Sequence, residues 1–273
     1  MTTTKPEIAK SIQTGGFLTN YHDVGEGFPV LFLHGSGPGV SAWANWRLIM
    51  PIVSQQRRVI APDMAGFGYT QRVEGLPLTM DTWVKQTIDL LDALNIPKAD
   101  LVGNSFGGAL ALAVAILHPD RVNKLVLMGA MGVDFPITKG LDSVWGYEPS
   151  VENMKNMIDL FVYNKAISTD DLARMRYDAS VEPGFQESFS SMFPAPRQRW
   201  VKDMARYEDR ISGLKHEVLI VHGREDQVIP VENAYKLINL IDNAQLHVFG
   251  HCGHWTQIEK SKEFAALVNS FLG

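Results

Sequence analysis

Residues 99–107 read Ala-Asp-Leu-Val-Gly-Asn-Ser-Phe-Gly, and they run straight into Gly-Ala-Leu-Ala-Leu-Ala-Val-Ala-Ile-Leu at 108–117. The first half has the apolar character of a buried strand, the second that of a buried helix. Between them Gly103-Asn104-Ser105-Phe106-Gly107 makes a G-x-S-x-G turn in strand–turn–helix context. So abrupt a turn forces the serine into a strained backbone conformation, and small residues two before and two after it let strand and helix pass. The strain lifts the Ser105 hydroxyl clear of the sheet. It also leaves the Phe106 amide at a helix N-terminus, where it can face an oxyanion. A bare G-x-S-x-G is a weak signal. The context argues against the plainer reading, a serine in an ordinary strand-to-helix turn.

A serine hydroxyl attacks poorly until a base takes its proton. A nucleophile in this setting calls for an acid and then a histidine, each just after a later strand. Val-Leu-Ile-Val-His-Gly at 218–223 is followed by Arg224-Glu225-Asp226-Gln227, and Gln-Leu-His-Val-Phe-Gly at 245–250 by His251-Cys252-Gly253-His254-Trp255. Asp226 fits better than Glu225, because its spacing from the glycine places it at the loop apex. His254 fits better than His251, because it lies deeper in its loop, directly before the last helix. The remaining histidines read as surface, strand or locally bonded positions, His222 among the last. A second oxyanion donor is expected in His34-Gly35-Ser36-Gly37-Pro38-Gly39, after the strand 29–34. Either the Gly35 or the Ser36 amide can serve, and Ser36 is favoured. A phosphate-binding reading of these glycines fails, since the Walker lysine is missing and a proline interrupts the run.

Around these motifs, short apolar runs at 29–34, 58–61, 99–104, 124–128, 217–222 and 245–249 alternate with amphipathic stretches such as 80–94 and 231–241. That rhythm predicts an α/β fold: a mostly parallel sheet with helices on both faces. Residues 16–24 alternate in polarity and are expected to form an antiparallel hairpin with the strand that follows. The rhythm breaks between about 134 and 205, where Met, Phe, Tyr and Trp recur at helical spacing without a buried strand. The expected organisation is a core domain of residues 1–133 and 206–273 and an inserted helical cap of 134–205, extra flanking helices being the alternative. No repeat or low-complexity segment interrupts it.

The 273 residues are 45% apolar and 20% charged, ordinary for a globular chain large enough to need no staples. The single cysteine, Cys252, excludes an internal disulfide or a cysteine-built metal site, fits a reducing compartment, and reads best as an apolar filler. A net charge of −5 without a basic stripe argues against nucleic acid. The start Met-Thr-Thr-Thr-Lys-Pro-Glu-Ile-Ala-Lys carries no apolar run behind a basic cluster, and 109–117 is too short to span a bilayer. A cytoplasmic protein with no membrane partner is expected, with neither metal nor organic cofactor. A homo-oligomer is compatible with the composition, which does not decide it.

The combination of His-Gly-Ser-Gly-Pro-Gly at 34–39, Ala42-Trp43-Ala44-Asn45-Trp46, Gly-Asn-Ser-Phe-Gly-Gly at 103–108, Met-Phe-Pro-Ala-Pro-Arg-Gln-Arg-Trp at 192–200 and Cys252-Gly253-His254-Trp255 resembles the meta-cleavage product hydrolases, a branch of the α/β-hydrolase fold. The likeness covers nearly the whole chain and leans toward the members acting on monocyclic substrates. It implies hydrolysis of a carbon–carbon bond in a small-molecule 2-hydroxy-6-oxo-2,4-dienoate, with 2-hydroxypenta-2,4-dienoate and a small carboxylic acid as products. The triad alone implies only acyl transfer, so a carboxylesterase is the runner-up. A ligand-binding receptor on the same fold is opposed by the intact triad. Dehalogenases and epoxide hydrolases of the fold need an acidic nucleophile, which position 105 lacks. The resemblance further assigns substrate contacts to Gly35, Asn45, Asn104 and Trp255, and carboxylate binding to a cap arginine. Arg176, followed by Tyr177 where the family more often has tryptophan, is favoured over Arg174. The monocyclic branch implies a short pocket for the C6 substituent, for which Ile137, Trp145 and Val228 are the expected walls.

Overall fold

The computed structural model describes residues 5–273; the first four residues of the N-terminal stretch read above lie outside the described residues. Eight strands form one sheet: β1 (Lys10–Thr14), β2 (Phe17–Val24), β3 (Pro29–Leu33), β4 (Arg58–Pro62), β5 (Ala99–Asn104), β6 (Val122–Met128), β7 (Glu217–Gly223) and β8 (Ala244–Phe249). Their order across the sheet is β1-β2-β4-β3-β5-β6-β7-β8. From β4 to β8 every pairing is parallel. β2 does not pair with β3 as the polarity pattern suggested. It lies antiparallel between β1 and β4, with Tyr21 opposite Pro62 and Val24 opposite Val59. The pattern marked a strand but carried no information about which neighbours would flank it.

Helices α1 (Ala42–Trp46), α2 (Met50–Val53), α3 (Met80–Ala93) and α4 (Phe106–Leu117) fill the crossovers of the first half. α4 has no polar face, and Phe106 through Ala115 are all buried, so it packs in the middle of the molecule behind β5. Its fit depends on the two glycines of the turn. A methyl group on Gly103 would collide with the Gly107 carbonyl, and one on Gly107 with the Leu33 carbonyl. Strand and helix thus pass at backbone distance, and Ser105 between them is held at φ 53°, ψ −113°, a conformation that non-glycine residues rarely adopt.

Between β6 and β7 lie only helices among the described residues: α5 (Lys139–Trp145), α6 (Val151–Phe161), α7 (Asp170–Ser180), α8 (Phe185–Met192) and α9 (Gln198–Met204), with two short 3₁₀ turns. α5, α6 and α7 are each opened by a side-chain cap, from Thr138, Ser150 and Thr169. α10 (Glu232–Leu240), α11 (Thr256–Glu259) and α12 (Ser261–Leu272) complete the chain. No helix among the described residues is long and apolar enough to cross a membrane.

Candidate active site

The chain enters the site at the strained Ser105. Its amide donates to the Met128 carbonyl at 3.0 Å and its carbonyl accepts from Met131 at 3.1 Å, so the end of β6 clamps the turn from the side. The same segment reaches the acid and base: a methyl group on Gly129 would stand 3.3 Å from His254 Nδ1 and 3.5 Å from Asp226 Oδ2. His254 Nδ1–H donates to Asp226 Oδ2 at 2.7 Å. That bond fixes the tautomer, leaving Nε2 free to accept a proton. Among the described residues no hydrogen bond joins Ser105 Oγ to His254.

Asp226 is wholly buried and accepts on both oxygens. Oδ1 takes the amides of Val228 at 2.8 Å and Ile229 at 2.9 Å, while Oδ2 takes His254. Burial alone pushes its carboxyl upward, but the adjacent His254 and His222 reverse this and hold it well below the usual carboxylate range. Glu225 points elsewhere: its Oε2 accepts the Cys252 amide at 3.0 Å and its Oε1 pairs with Arg224. His251, at φ 53°, lies against Tyr163 with ring centroids 5.2 Å apart. The structure therefore brings Asp226 and His254 together and leaves Glu225 and His251 outside the contact.

The loop after β3 is set by His34, whose Nε2 accepts the Met64 amide at 3.0 Å while Nδ1–H donates to the Gly35 carbonyl at 2.8 Å. Complete burial pushes this imidazole down to about 4, so it is neutral with one donor and one acceptor in use. The Gly35 amide is occupied by Asn45 Oδ1 at 3.3 Å, whereas the Ser36 and Phe106 amides make no hydrogen bond among the described residues. That difference favours Ser36 over Gly35 as partner to Phe106. The Ser36 hydroxyl is engaged too, accepting Trp145 Nε1–H at 3.0 Å.

Beside the loop opens a narrow cavity lined by Gly35, Ser36, Gly37, Pro38, Val40, Asn45, Asn104, Met154, Met157, Phe161, Arg176, His254 and Trp255. Ser105 sits just behind this wall: a methyl group on Gly35 would be 3.5 Å from its Cβ and 2.8 Å from Asn104 Oδ1. Asn104 Nδ2 is anchored to the Met128 carbonyl at 3.3 Å, and buried Asn45 Nδ2 has no partner among the described residues. Arg176 enters from α7 and hydrogen-bonds the Gly39 carbonyl at 3.0 Å. Burial, with Arg47 adding a like charge, lowers its guanidinium to about 10, and no carboxylate pairs with it among the described residues. Arg174, the rival, is exposed.

The three expected pocket walls stand outside this lining. Val228 is buried with its carbonyl taken by Thr138 Oγ1 at 2.7 Å, Ile137 is tied through its amide to Gln198, and Trp145 stacks on Phe193 at 4.4 Å. In their place α6 presents Met154, Met157 and Phe161, at i, i+3 and i+7. Phe161 also stacks on Trp255 at 4.8 Å. That stripe was visible in the sequence, but helical spacing alone does not separate a cavity lining from core.

Comparison with known proteins meets this geometry at residues 29–261, which match the model of the alpha/beta hydrolase fold family. Over 98% of its length the chain is 57% identical to a 2-hydroxymuconate semialdehyde hydrolase of Pseudomonas sp. strain CF600, covering 94% of that protein. The chain belongs to the α/β hydrolase fold family, among the meta-cleavage product hydrolases. A 2-hydroxy-6-oxo-2,4-heptadienoate hydrolase of Pseudomonas putida strain F1 is also 57% identical, over 100% of the chain and 99% of the relative. A serine-to-alanine variant of CumD, a meta-cleavage product hydrolase of Pseudomonas fluorescens IP01 solved with acetates, superposes with a TM-score of 0.97 at 58% identity, covering 98% of both chains. In an α/β hydrolase the loops beyond the C-terminal ends of parallel strands carry the chemistry, and the loops after β3, β5, β7 and β8 are those that meet here.

Proposed function

We propose that this chain hydrolyses the C5–C6 bond of 2-hydroxy-6-oxo-2,4-dienoates, with Ser105 as nucleophile, His254 as base and acid, and Asp226 orienting the imidazole. The observation that carries the reading beyond acyl transfer is Arg176: a half-buried guanidinium without a carboxylate partner among the described residues, lining the same cavity as His254, Asn45 and Asn104. A cation in that state is costly unless the ligand brings an anion, and a dienoate does.

A carbon cannot leave as a free carbanion, so the dienol is first ketonised by protonation at C5. The Arg176 end of the cavity holds the carboxylate, with Asn45 and Asn104 on the neighbouring oxygen and Trp255 against the diene. Ser105 Oγ adds to the C6 carbonyl while its proton passes to His254 Nε2, and the amides of Ser36 and Phe106 hold the oxyanion. When the C5–C6 bond breaks, its electrons run through the enone to the 2-oxygen, and the proton held by His254 is given up as that oxygen becomes the 2-hydroxyl of the dienoate product. Water attacking the acyl-serine releases the small acid. In this reading 134–205 serves as the cap over a core built from the rest of the chain. The C6 substituent lies against Met154, Met157 and Phe161, a stripe that accepts hydrogen, methyl or a small alkyl group.

The test pairs a dienoate with a neutral aryl ester. Arg176→Ala is expected to cut kcat/KM for the dienoate by about a hundredfold, the scale of a misplaced substrate, and to change ester turnover less than threefold. Equal losses on both, or an ester turned over faster than the dienoate by the unaltered enzyme, would favour the carboxylesterase.

A further inference from the structure

His222, the penultimate residue of β7, lies four residues before Asp226 and is fully buried, with 1% of its surface exposed. Its Nε2 lies 3.0 Å from the Ile229 carbonyl. A carbonyl can only accept, so Nε2 carries the hydrogen. The same nitrogen is 3.4 Å from Asp226 Oδ2, the oxygen that receives His254 Nδ1–H. Ile229 closes the circuit, because its own amide donates to Asp226 Oδ1 at 2.9 Å. One imidazole thus holds both ends of the acid loop.

We propose that His222 is a positioning residue of the triad. It fixes the Asp226 carboxylate by locking Ile229, whose amide holds Oδ1, and by keeping its own Nε2 edge 3.4 Å from Oδ2. The need for such a lock is visible in the loop's other duty. Val228, between the two anchors, accepts Thr138 Oγ1 at the start of α5, so any movement of α5 pulls on the segment that carries the acid. Without His222, Asp226 would follow that pull and lose its in-plane contact with His254. A triad works only at near-contact geometry, so the loss falls on the chemical step rather than on substrate binding.

The inference rests on the triad reading but not on the identity of the substrate, so both the dienoate and an aryl ester are assayed. His222→Phe and His222→Met, which remove the donor, are expected to lower kcat about tenfold on both substrates with KM unchanged within twofold. His222→Gln, whose amide nitrogen can replace Nε2, should recover most of the loss. In an Asp226→Asn background the His222→Phe change should cost little more, because it acts through Asp226. The proposal is overturned if the donor-less variants turn over like wild type, if Gln is as poor as Phe, or if the two substitutions are additive. It is equally overturned if neither donor-less variant folds, which would assign His222 to folding. Activity surviving in Ser105→Ala would instead remove the triad reading beneath it, and loss confined to the ester would count against the dienoate reading alone.

Discussion

Ser105 occupies a backbone conformation that few side chains tolerate, yet the strain is fixed by neighbours on three sides: Met128, Met131 and the passing helix α4. Ser105→Ala therefore should keep the fold and the cavity while losing the nucleophile. Turnover of the dienoate is expected to fall about a thousandfold or more, with a substrate Kd, read from the chromophore of the bound dienol, close to the wild-type KM. Retained turnover would remove the mechanism. The acid gives a sharper contrast, since Asp226 and Glu225 are adjacent and differ only in what they touch. Asp226→Asn should depress kcat by a factor of about 10⁴, whereas Glu225→Gln, which alters a bond to the Cys252 amide, should leave kcat within a few-fold. Stopped-flow kinetics of the two variants side by side decides it. The loops that carry Asp226 and His254 were legible in the sequence because each is a short polar stop after a strand-like apolar run. The hold of His222 on Asp226 was not, because a strand-end histidine reads identically whether it bonds its own loop or nothing.

α7 brings Arg176 to the cavity, and its depth is set by one close approach. Gly39 has φ 63°, and a methyl group there would lie 2.6 Å from the Ser180 amide and 2.8 Å from the Ala179 carbonyl carbon. The last turn of α7 rests directly on the loop after β3 that carries Ser36. Gly39→Ala should therefore push α7 outward and weaken the Arg176–Gly39 bond together. KM for the dienoate is expected to rise about tenfold, aryl-ester kcat to change little, and melting temperature to drop by several degrees; unaltered KM would show that the helix has room to spare. At this scale the sequence spoke unevenly. Alternating strand and helix runs located β3 through β8, because buried parallel strands such as β3 and β7 are short and largely apolar, and even the half-exposed β8 keeps Leu246, Val248 and Phe249. The helical stretch 134–205 announced its secondary structure but not its facing. Hence Ile137, Trp145 and Val228 were expected along the pocket, while Met154, Met157 and Phe161 line it.

Across the whole molecule the far end of the sheet is tied by Arg57, which pairs with buried Asp100 at 3.0 Å and also donates to the carbonyls of Leu272 and Gly273. Asp100 further accepts Asn123 Nδ2 and the Lys124 amide, and its burial raises its carboxyl, so it depends on these partners to stay charged. Arg57→Ala should cost about 3–5 kcal/mol in urea unfolding, the penalty of stranding a buried carboxylate, and leave kcat unchanged; a loss below about 1 kcal/mol would mean that water already reaches the site. This tie joins residues far apart in the chain, and sequence alone offered no means of pairing them. The interruption of the sheet between β6 and β7 has a further consequence for the protein as it is made. β6 ends at Met128 and its parallel neighbour β7 begins only at Glu217. At ribosomal speeds of roughly 5–20 residues per second, those intervening residues keep one flank of β6 bare for about 4–18 s after it emerges. The nascent chain spends that interval with the buried Leu125–Met128 run of β6 half dressed, and with a serine elbow that has neither acid nor base. Holding chaperones should therefore engage the chain chiefly in this window, and the enzyme acquires its reactivity only once its final 50 or so residues have left the tunnel.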